Sequence, residues 1–427
     1  MNKEFILTSS QLSYAGESID FVISDKIYLT KIEAKNYLGQ LISKLLLLAY
    51  WQNKALVNQT SIDLNTYHFK NQEIALSDFT FKRFVKIGVA STGQKNNICD
   101  VPGVLVGQMT IDQNDYHTGV TVIKPHAANC FLEKVVASSF VFNGFGKSCG
   151  LVQIDEIGSI ETPIVLTSTL NVGKMSDAVV GEALEELKQL NKNITSINPV
   201  VLECNDGQLS KSVDRILGIN EYKQALDNLD TNFKQGAIGA GRGMICHGYK
   251  GGIGSSSRLF TFDNQEYHLG IILNSNFGSS DGKELRICGQ KISEISDEPK
   301  PEQGSIVCVL ATDLPLNERQ IKRMLRRIEI GIGRTGSYAG NGSGDLFVGF
   351  TTANVRKINQ KQLQPIEYID DSNLDAVFRL IPELTEEAVL NSMFYALGYQ
   401  GYQKKVNSLG NKYPEFINLL DEEIIFK

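Results

Sequence analysis

The feature that most limits the fold of this chain is a series of short apolar runs, separated by glycine, that begins near residue 86. Short runs rich in β-branched residues and bounded by turn residues are typical of strands. They occur at 103–108, 119–124, 164–169, 269–273, 306–311 and 346–351. The second half of the sequence and much of the first therefore predict sheets.

Between these runs lie stretches whose apolar residues recur at three- and four-residue steps, which is the spacing of an amphipathic helix. They occur at 176–192, 317–334 and 385–397. Ser176 and Asn317 are suited to N-cap the first two, and Glu386 and Glu387 stand in the predicted first turn of the third. Strands in runs with helices between them predict an α+β layered fold rather than a regular βαβ alternation.

Residues 1–85 differ in sequence pattern from the rest of the chain. We expect them to form an N-terminal extension of unknown role ahead of a main domain at 86–427. Apolar residues recur at helical spacing behind Thr30, a suitable N-cap, at Ile32, Tyr37, Leu38, Leu41, Ile42, Leu45, Leu46 and Ala49. A membrane-surface helix would carry a dense basic set on its polar face. That set is missing here, so the pattern favours a helix packed on other protein.

Composition excludes several classes of partner. With 42 Lys and Arg against 48 Asp and Glu, the formal net charge is −6, whereas a general nucleic-acid binder needs a basic face to neutralise phosphates. The strongest apolar run, 45–51, is too short to span a bilayer. We therefore expect neither nucleic acid nor membrane as a partner.

The seven cysteines and five histidines give no metal or disulfide signature. No cysteine pair has C-x-x-C spacing, no histidine pair has H-x-x-x-H spacing, and the cysteine count is odd. The N-terminus lacks a basic region followed by a long apolar run. These observations predict a cytoplasmic protein with no metal site and no cofactor.

Two glycine clusters, 236–243 and 251–258, are the densest local signal. A dinucleotide fingerprint needs a strand before it, a helix after it and an acidic residue about 20 positions on. Here a strand-like stretch and more glycine follow the first cluster, and no phosphate-loop Gly-Lys-Ser/Thr occurs. The clusters favour close backbone packing over nucleotide binding.

Three further segments carry polar residues next to predicted strands: 199–207, 303–313 and 339–347. The first is an apolar run that ends in Glu203, Cys204, Asn205, Asp206 and Gly207. The second is a Gly-Ser pair ahead of an apolar strand, and the third is a polar glycine turn ahead of another. Each one alone is compatible with an ordinary loop that enters a sheet.

Together, in order, these segments resemble the signature segments of the L-aminopeptidase/D-esterase family. The matching stretches are 97–107, 118–122, 143–146, 177–180, 239–246, 250–254, 256–258, 274–278, 304–306, 311–316 and 342–345. Residues 1–85 lie outside the resemblance. It implies an α+β fold, a four-layer αββα sandwich like that of N-terminal-nucleophile hydrolases, and a precursor that cuts itself between Gly304 and Ser305. The products are an α chain (1–304) and a β chain (305–427), assembled as a homo-oligomer, a tetramer of αβ units.

The resemblance also implies the roles of individual residues. Ser305 is the nucleophile, Ser343 its hydrogen-bonding partner near the new amine, and Asp345 the carboxylate that fixes that pair, where some members carry Glu. Asn276 is the oxyanion donor. Asn205 falls where members of the family carry Tyr, in a substrate-binding position. The expected substrates are N-terminal amino-acid amides, esters or short peptides.

The chemistry of such a site is consistent with the residues present. A serine hydroxyl needs a nearby base, and a new N-terminal amine, with a reference pKa of about 7.7–8.0, is partly unprotonated near neutrality. This amine replaces the histidine that none of these segments contains. Glycine at 304 lets the backbone bend so that Ser305 Oγ reaches the Gly304 carbonyl carbon.

Two alternatives remain open at this stage. Ornithine acetyltransferases have a similar architecture and pass an acyl group from the same kind of nucleophile to an amine, although they cut before Thr and this chain has Ser305. A non-catalytic homologue is the second alternative. Retention of Gly304, Ser305, Ser343 and Asp345 argues against it.

Overall fold

The computed structural model of the chain describes residues 87–291, 300–358, 363–396 and 398–409, together with six short strands before residue 76. The chain divides into two compact units. One comprises Met1–Lys86 with Gly410–Lys427, and the other comprises Ile87–Leu409.

The first unit contains a four-stranded antiparallel sheet and a separate hairpin. The sheet has the order β3-β2-β1-β4 and the hairpin pairs β5 with β6. Their bounds are β1 Phe5–Leu7, β2 Gln11–Tyr14, β3 Glu17–Asp20, β4 Ile27–Leu29, β5 Thr66–Phe69 and β6 Gln72–Ala75. The helix predicted over residues 32–49 lies outside the described residues.

In the residues that the structure describes, the second unit contains sixteen strands. They are β7 Leu105–Gln113, β8 Tyr116–Lys124, β9 Glu133–Gly144, β10 Ser159–Ile160, β11 Ile164–Ser168, β12 Val200–Cys204, β13 Ile245–Cys246, β14 Tyr249–Lys250, β15 Gly252–Phe262, β16 Gln265–Asn276, β17 Arg286–Ile287, β18 Gln290–Lys291, β19 Ser305–Thr312, β20 Gly344–Lys357, β21 Tyr399–Gln400 and β22 Lys405–Val406. Each apolar run predicted to be a strand overlaps one of these elements.

Two large sheets dominate this unit. The six-stranded sheet has the order β10-β9-β20-β19-β16-β15, with β19 and β20 parallel and the other neighbours antiparallel. The four-stranded sheet has the order β12-β11-β8-β7, with β11 and β12 parallel. The short strands form three two-stranded ribbons, β13-β14, β17-β18 and β21-β22.

Helices cover the outer face of each sheet. Their bounds are α1 Leu151–Ile157, α2 Val172–Gln189, α3 Ile219–Asp227, α4 Glu318–Leu325, α5 Ile328–Arg334 and α6 Leu374–Phe394, with 3₁₀ turns at Ile98–Asp100, Thr169–Asn171, Ser212–Asp214, Gly239–Gly241 and Asp371–Asn373. Helices α2 and α3 pack on the four-stranded sheet, α4 on β9 and β20, and α6 on β15 and β16. In the part of the chain that the structure describes, no helix is long and apolar enough to cross a membrane.

Side-chain alternation along the strands separates the core between the two sheets from the core between a sheet and its helices. In β11, Ile164 and Leu166 face the other sheet, whereas Val165 faces α2 and joins the helix-side cluster. Successive side chains of a strand point to opposite faces, so a strand covered on both faces is apolar throughout. The layers therefore run helix, sheet, sheet, helix, and the predicted αββα architecture is confirmed.

The glycine clusters serve close packing, as the sequence predicts. A Cβ at Gly254 would lie 1.9 Å from the carbonyl oxygen of Ala388 in α6, and one at Gly252 would lie 2.0 Å from that of Gly236. Helix α6 therefore approaches β15 this closely because residue 254 is glycine.

Candidate active site

Ser305 is the first residue of β19, an interior strand of the six-stranded sheet. The parallel register pairs it with Gly344 of β20, and the antiparallel register on its other side pairs it with Asn276 of β16. The fold thus brings together segments near residues 276, 305 and 344 that are far apart in the sequence. These are the segments in which the sequence predicted the catalytic residues.

Gly304 precedes Ser305 in a conformation that requires glycine. Its φ is +108°, in the region that L side chains rarely adopt. A Cβ there would lie 1.8 Å from the backbone oxygen of Asn276. The Gly304–Ser305 peptide is therefore packed directly against the end of β16, and any larger residue at 304 would displace it.

Ser343 and Asp345 form a hydrogen-bonded pair beside Ser305. Ser343 Oγ donates to Asp345 Oδ1 at 2.6 Å, and the intervening Gly344 N–H donates to Ser305 Oγ at 3.1 Å. Burial raises the pKa of Asp345 to about 6, while hydrogen bonds from Ser343 and from the Ile306 backbone act in the opposite direction. The nearby Glu302 charge adds to the rise. Asp345 thus changes charge close to neutral pH.

The Asn276 side chain is held at both ends. Its Oδ1 accepts from the Ile245 N–H at 2.9 Å, and its Nδ2 donates to the Asn205 carbonyl oxygen at 3.1 Å. The amide nitrogen carries two hydrogens, so one remains for another acceptor. The predicted oxyanion donor is therefore fixed in orientation next to Ser305.

Asn205 lies at the exposed rim of the site. Its own Oδ1 accepts from the Gly207 N–H at 2.9 Å, which is an ordinary turn contact. Its contribution to the site is its backbone carbonyl, which holds Asn276. Asn205 therefore forms an ordinary turn and also contributes to the site.

A cavity of about 450 Å³ opens in front of Ser305. This volume lies within the range of about 300–1,000 Å³ that small-molecule sites occupy. Its walls include Gly304, Ser305, Asn276 and Asn205, and its apolar lining comes from Phe145, Ile245 and Phe277. Four of the residues that the sequence predicted separately thus line one cavity, whereas Ser343 and Asp345 are not part of its lining.

Glu203 lines this cavity and was not among the predicted site residues. It lies in β12, is 3% exposed, and its Oε1 accepts from the Lys147 N–H at 3.0 Å. A carboxylate near the end of an otherwise apolar buried strand is the signal that could have identified it. Lys147 and Lys404 are the cationic residues in the described lining.

The serines at 255–257 have structural roles instead. The hydroxyl of Ser255 donates to the Ile271 carbonyl oxygen, that of Ser256 to the Leu384 carbonyl oxygen, and that of Ser257 to Asp100 Oδ2. All three side chains are buried in the sheet. None of them lines the cavity in front of Ser305.

Comparisons with known proteins agree with this geometry. The chain is 35% identical over 333 residues to the beta-peptidyl aminopeptidase BapA of Sphingosinicella xenopeptidilytica, which covers 70% of this chain and 81% of that protein. A beta-aminopeptidase from Burkholderia sp. superposes with a TM-score of 0.72 at 32% identity, covering 78% of this chain and 96% of the other. The L-aminopeptidase D-Ala-esterase/amidase of Ochrobactrum anthropi, a prototype serine aminopeptidase with a variant of the Ntn hydrolase fold, gives the same TM-score, identity and coverage.

These likenesses confirm the predicted family and the Ntn-hydrolase-like fold. They favour a peptidase over the acyltransferase and non-catalytic alternatives. The model of peptidase family S58 matches residues 96–407, most of the second unit. The chain therefore belongs to peptidase family S58.

Proposed function

We propose that this chain is a precursor that cuts its own Gly304–Ser305 bond and then acts as a serine aminopeptidase through the freed Ser305. The observation that carries the proposal is that Ser305, Gly304 and Asn276 line one cavity, with the hydrogen-bonded Ser343–Asp345 pair next to Ser305 in the neighbouring strand. The products are chains 1–304 and 305–427.

The self-cleavage step is an N→O acyl shift followed by hydrolysis. Ser305 Oγ attacks the Gly304 carbonyl carbon, the C–N bond to Ser305 breaks, and an ester forms between Gly304 and Oγ. The nitrogen becomes the free amine of Ser305, and water then cleaves the ester to leave a Gly304 carboxylate and the Ser305 hydroxyl. The positive φ of Gly304 supports this step, because a conformation unfavourable for other residues brings the scissile peptide into the site.

In turnover, the Ser305 amine takes the hydroxyl proton as Oγ attacks the substrate carbonyl carbon. The free hydrogen on Asn276 Nδ2 is available to the oxyanion, and such a donor is typically worth about 2.7–4 kcal/mol in the transition state. The leaving group departs with the proton, and water hydrolyses the acyl-enzyme. Ser343 and Asp345 hold the amine in place.

Glu203 supports specificity for a free amino terminus. Among the described residues that line the cavity, it is the single carboxylate, and an aminopeptidase needs an anion for the ammonium group of its substrate. Given the cavity volume, the substrate is an N-terminal amino-acid amide, an ester or a short peptide. The named activity of the relatives on beta-peptides supports N-terminal β-amino acids as one substrate class.

We also propose a cytoplasmic homo-oligomer, a tetramer of αβ units. The free state of all seven cysteines supports a reducing compartment. Exposed apolar side chains on β9 and α1, among them Phe142 and Val152, support burial against another subunit.

The test is a denaturing gel of freshly purified protein, with sequencing of the smaller chain. We expect two chains, the smaller of which begins Ser-Ile-Val-Cys. Ser305→Ala should stay intact and inactive because both steps need its Oγ, whereas Ser257→Ala, the matched control, should be cut. An intact wild-type chain that hydrolyses aminoacyl amides at full rate would overturn the mechanism.

A further inference from the structure

Lys250 is a fully buried lysine in the glycine-rich region next to the site. Its Nζ donates to three backbone carbonyl oxygens, those of Gly241 at 3.1 Å, Met244 at 2.7 Å and Gly251 at 2.6 Å. Its side chain is 0% exposed. Three acceptors match the three hydrogens of an ammonium group, whereas a neutral amine would direct its lone pair at one of the oxygens.

The charge of Lys250 is not balanced by a carboxylate. No ion pair of this residue occurs within the described ranges of the chain. Burial and, to a lesser extent, the positive charge of Arg242 lower the pKa of Lys250 well below its usual range. The three carbonyl oxygens that accept from Nζ favour the charged form. An ammonium group held by backbone dipoles acts strongly on the peptide groups that it touches.

One of those peptide groups leads directly to the active site. The Met244 carbonyl oxygen accepts from Lys250 Nζ and also from the Gly251 N–H at 3.0 Å. The N–H of the same peptide group, that of Ile245, donates to Asn276 Oδ1 at 2.9 Å. A single peptide group therefore connects the buried ammonium to the side chain beside Ser305.

We propose that Lys250 is a positioning residue for the oxyanion donor, acting through the Met244–Ile245 peptide group on Asn276. The inference rests on the proposed function, in which Asn276 Nδ2 stabilises the oxyanion. The ammonium fixes and polarises the peptide carbonyl, which makes the Ile245 N–H a stronger donor to Asn276 Oδ1. Hydrogen bonds in such a chain polarise one another, so the Asn276 N–H that faces the substrate becomes a better donor as well.

The test is a double-mutant cycle of Lys250→Met and Asn276→Ala, with rates per cut molecule on an aminoacyl amide. Lys250→Met should lower kcat about tenfold or more with KM nearly unchanged, because oxyanion stabilisation acts in the transition state. In the Asn276→Ala background the same substitution should cost less than about threefold. Lys250→Gln, which keeps two N–H donors without the charge, provides the cycle if Lys250→Met does not fold.

Arg242→Met is the matched control, since it removes a positive charge from the same loop. Arg242 pairs with Asp112 and stacks on Tyr399, and no hydrogen bond links it to the Met244–Ile245 peptide group in the described contacts. Because the Arg242 charge lowers the pKa of Lys250, its removal favours the ammonium form and should not lower kcat. If wild type is cut and active but the Lys250 and Asn276 losses multiply, this inference alone is overturned. A wild-type chain that is neither cut nor active overturns the proposed function and this inference with it.

Discussion

At the residue scale, the site depends on a carboxyl group that titrates near neutrality. Burial raises the pKa of Asp345 to about 6, so in the intact chain it is ionised above that pH. Asp345 accepts a hydrogen bond from Ser343, and the intervening Gly344 pairs with Ser305, whose nitrogen becomes an amine in the proposed self-cleavage. A carboxylate near an amine favours the ammonium form and raises the pKa of the amine.

We therefore predict that Asp345→Asn moves the acidic limb of the pH–rate profile to lower pH. The substitution removes the negative charge at nearly constant shape, so the Ser305 amine loses its proton at lower pH. The measurement is kcat/KM on an aminoacyl amide across pH, for wild type and for Asp345→Asn protein that has been cut. Asp371→Asn, at an exposed ion pair with Arg319, is the control and should leave the limb in place. An unshifted limb in cut Asp345→Asn protein would remove Asp345 from the vicinity of the amine.

Sequence patterns indicated the catalytic segments but not the residues that support them. Ser305 could be predicted because the Gly304-Ser305 pair is one of an ordered series of segments that resemble the L-aminopeptidase/D-esterase family, whereas the pair alone is compatible with an ordinary loop. The role of Lys250 could not be predicted, because composition and periodicity do not reveal which carbonyl oxygens accept hydrogen bonds from a lysine. Glu203 was visible within its segment, but its place in the cavity depends on how β12 lies relative to β19.

At the scale of elements, helix α6 shows where periodicity misleads. The sequence predicted a helix over 385–397 with Glu386 and Glu387 in its first turn. The helix instead begins at Leu374, continues through Pro382 and has both glutamates buried. Arg258 of β15 explains Glu387, because its guanidinium pairs with Glu383 at 2.9 Å and with Glu387 at 2.6 Å. That partner is more than 100 positions away in the sequence, beyond the reach of a local pattern.

The boundaries of two other predicted helices also differ from those in the structure. The helix predicted to start at Ser176 begins at Val172, and the Ser176 hydroxyl donates back to the Val172 carbonyl oxygen at 2.8 Å. The N-cap at Asn317 is confirmed, since its side chain accepts from the Gln320 N–H at 2.9 Å. The predicted 317–334 helix is two helices, α4 and α5.

We predict that Arg258→Met strongly destabilises the fold, because it leaves two carboxylates buried without their partner. Breaking a buried ion pair costs about 3–5 kcal/mol. The measurement is urea unfolding of the uncut Ser305→Ala chain with and without Arg258→Met. Arg319→Met breaks an ion pair whose partners are 57% and 43% exposed and should cost less than about 1 kcal/mol. Equal losses for the two arginines would show that the buried network does not stabilise α6 on β15.

At the scale of the whole molecule, the six-stranded sheet interleaves the two halves of the chain. Strands β9, β15 and β16 precede the Gly304–Ser305 bond, whereas β19 and β20 follow it. In the sheet, β20 lies beside β9 and β19 lies beside β16. The two products of the proposed self-cleavage would thus share one sheet and the core beneath it.

We predict that the cut chains stay together in native buffer, because separating them would expose a core shared by both sheets. Size-exclusion chromatography without denaturant should give one peak that contains both chains, and urea should resolve them. The uncut Ser305→Ala chain is the control and should elute at the same volume as the cut protein. Two native peaks from cut wild type would contradict the interleaved sheet.

Because of this strand order, the refolding reaction differs between the uncut and the cut chain. Before the cut, all strands of this sheet belong to one chain, so refolding after an unfolding event is a unimolecular process. After the cut, they are divided between two chains that must find each other, so recovery becomes a second-order reaction that slows on dilution. If the precursor cuts itself as proposed, the mature enzyme depends on how slowly it unfolds, a kinetic protection acquired when the precursor folded.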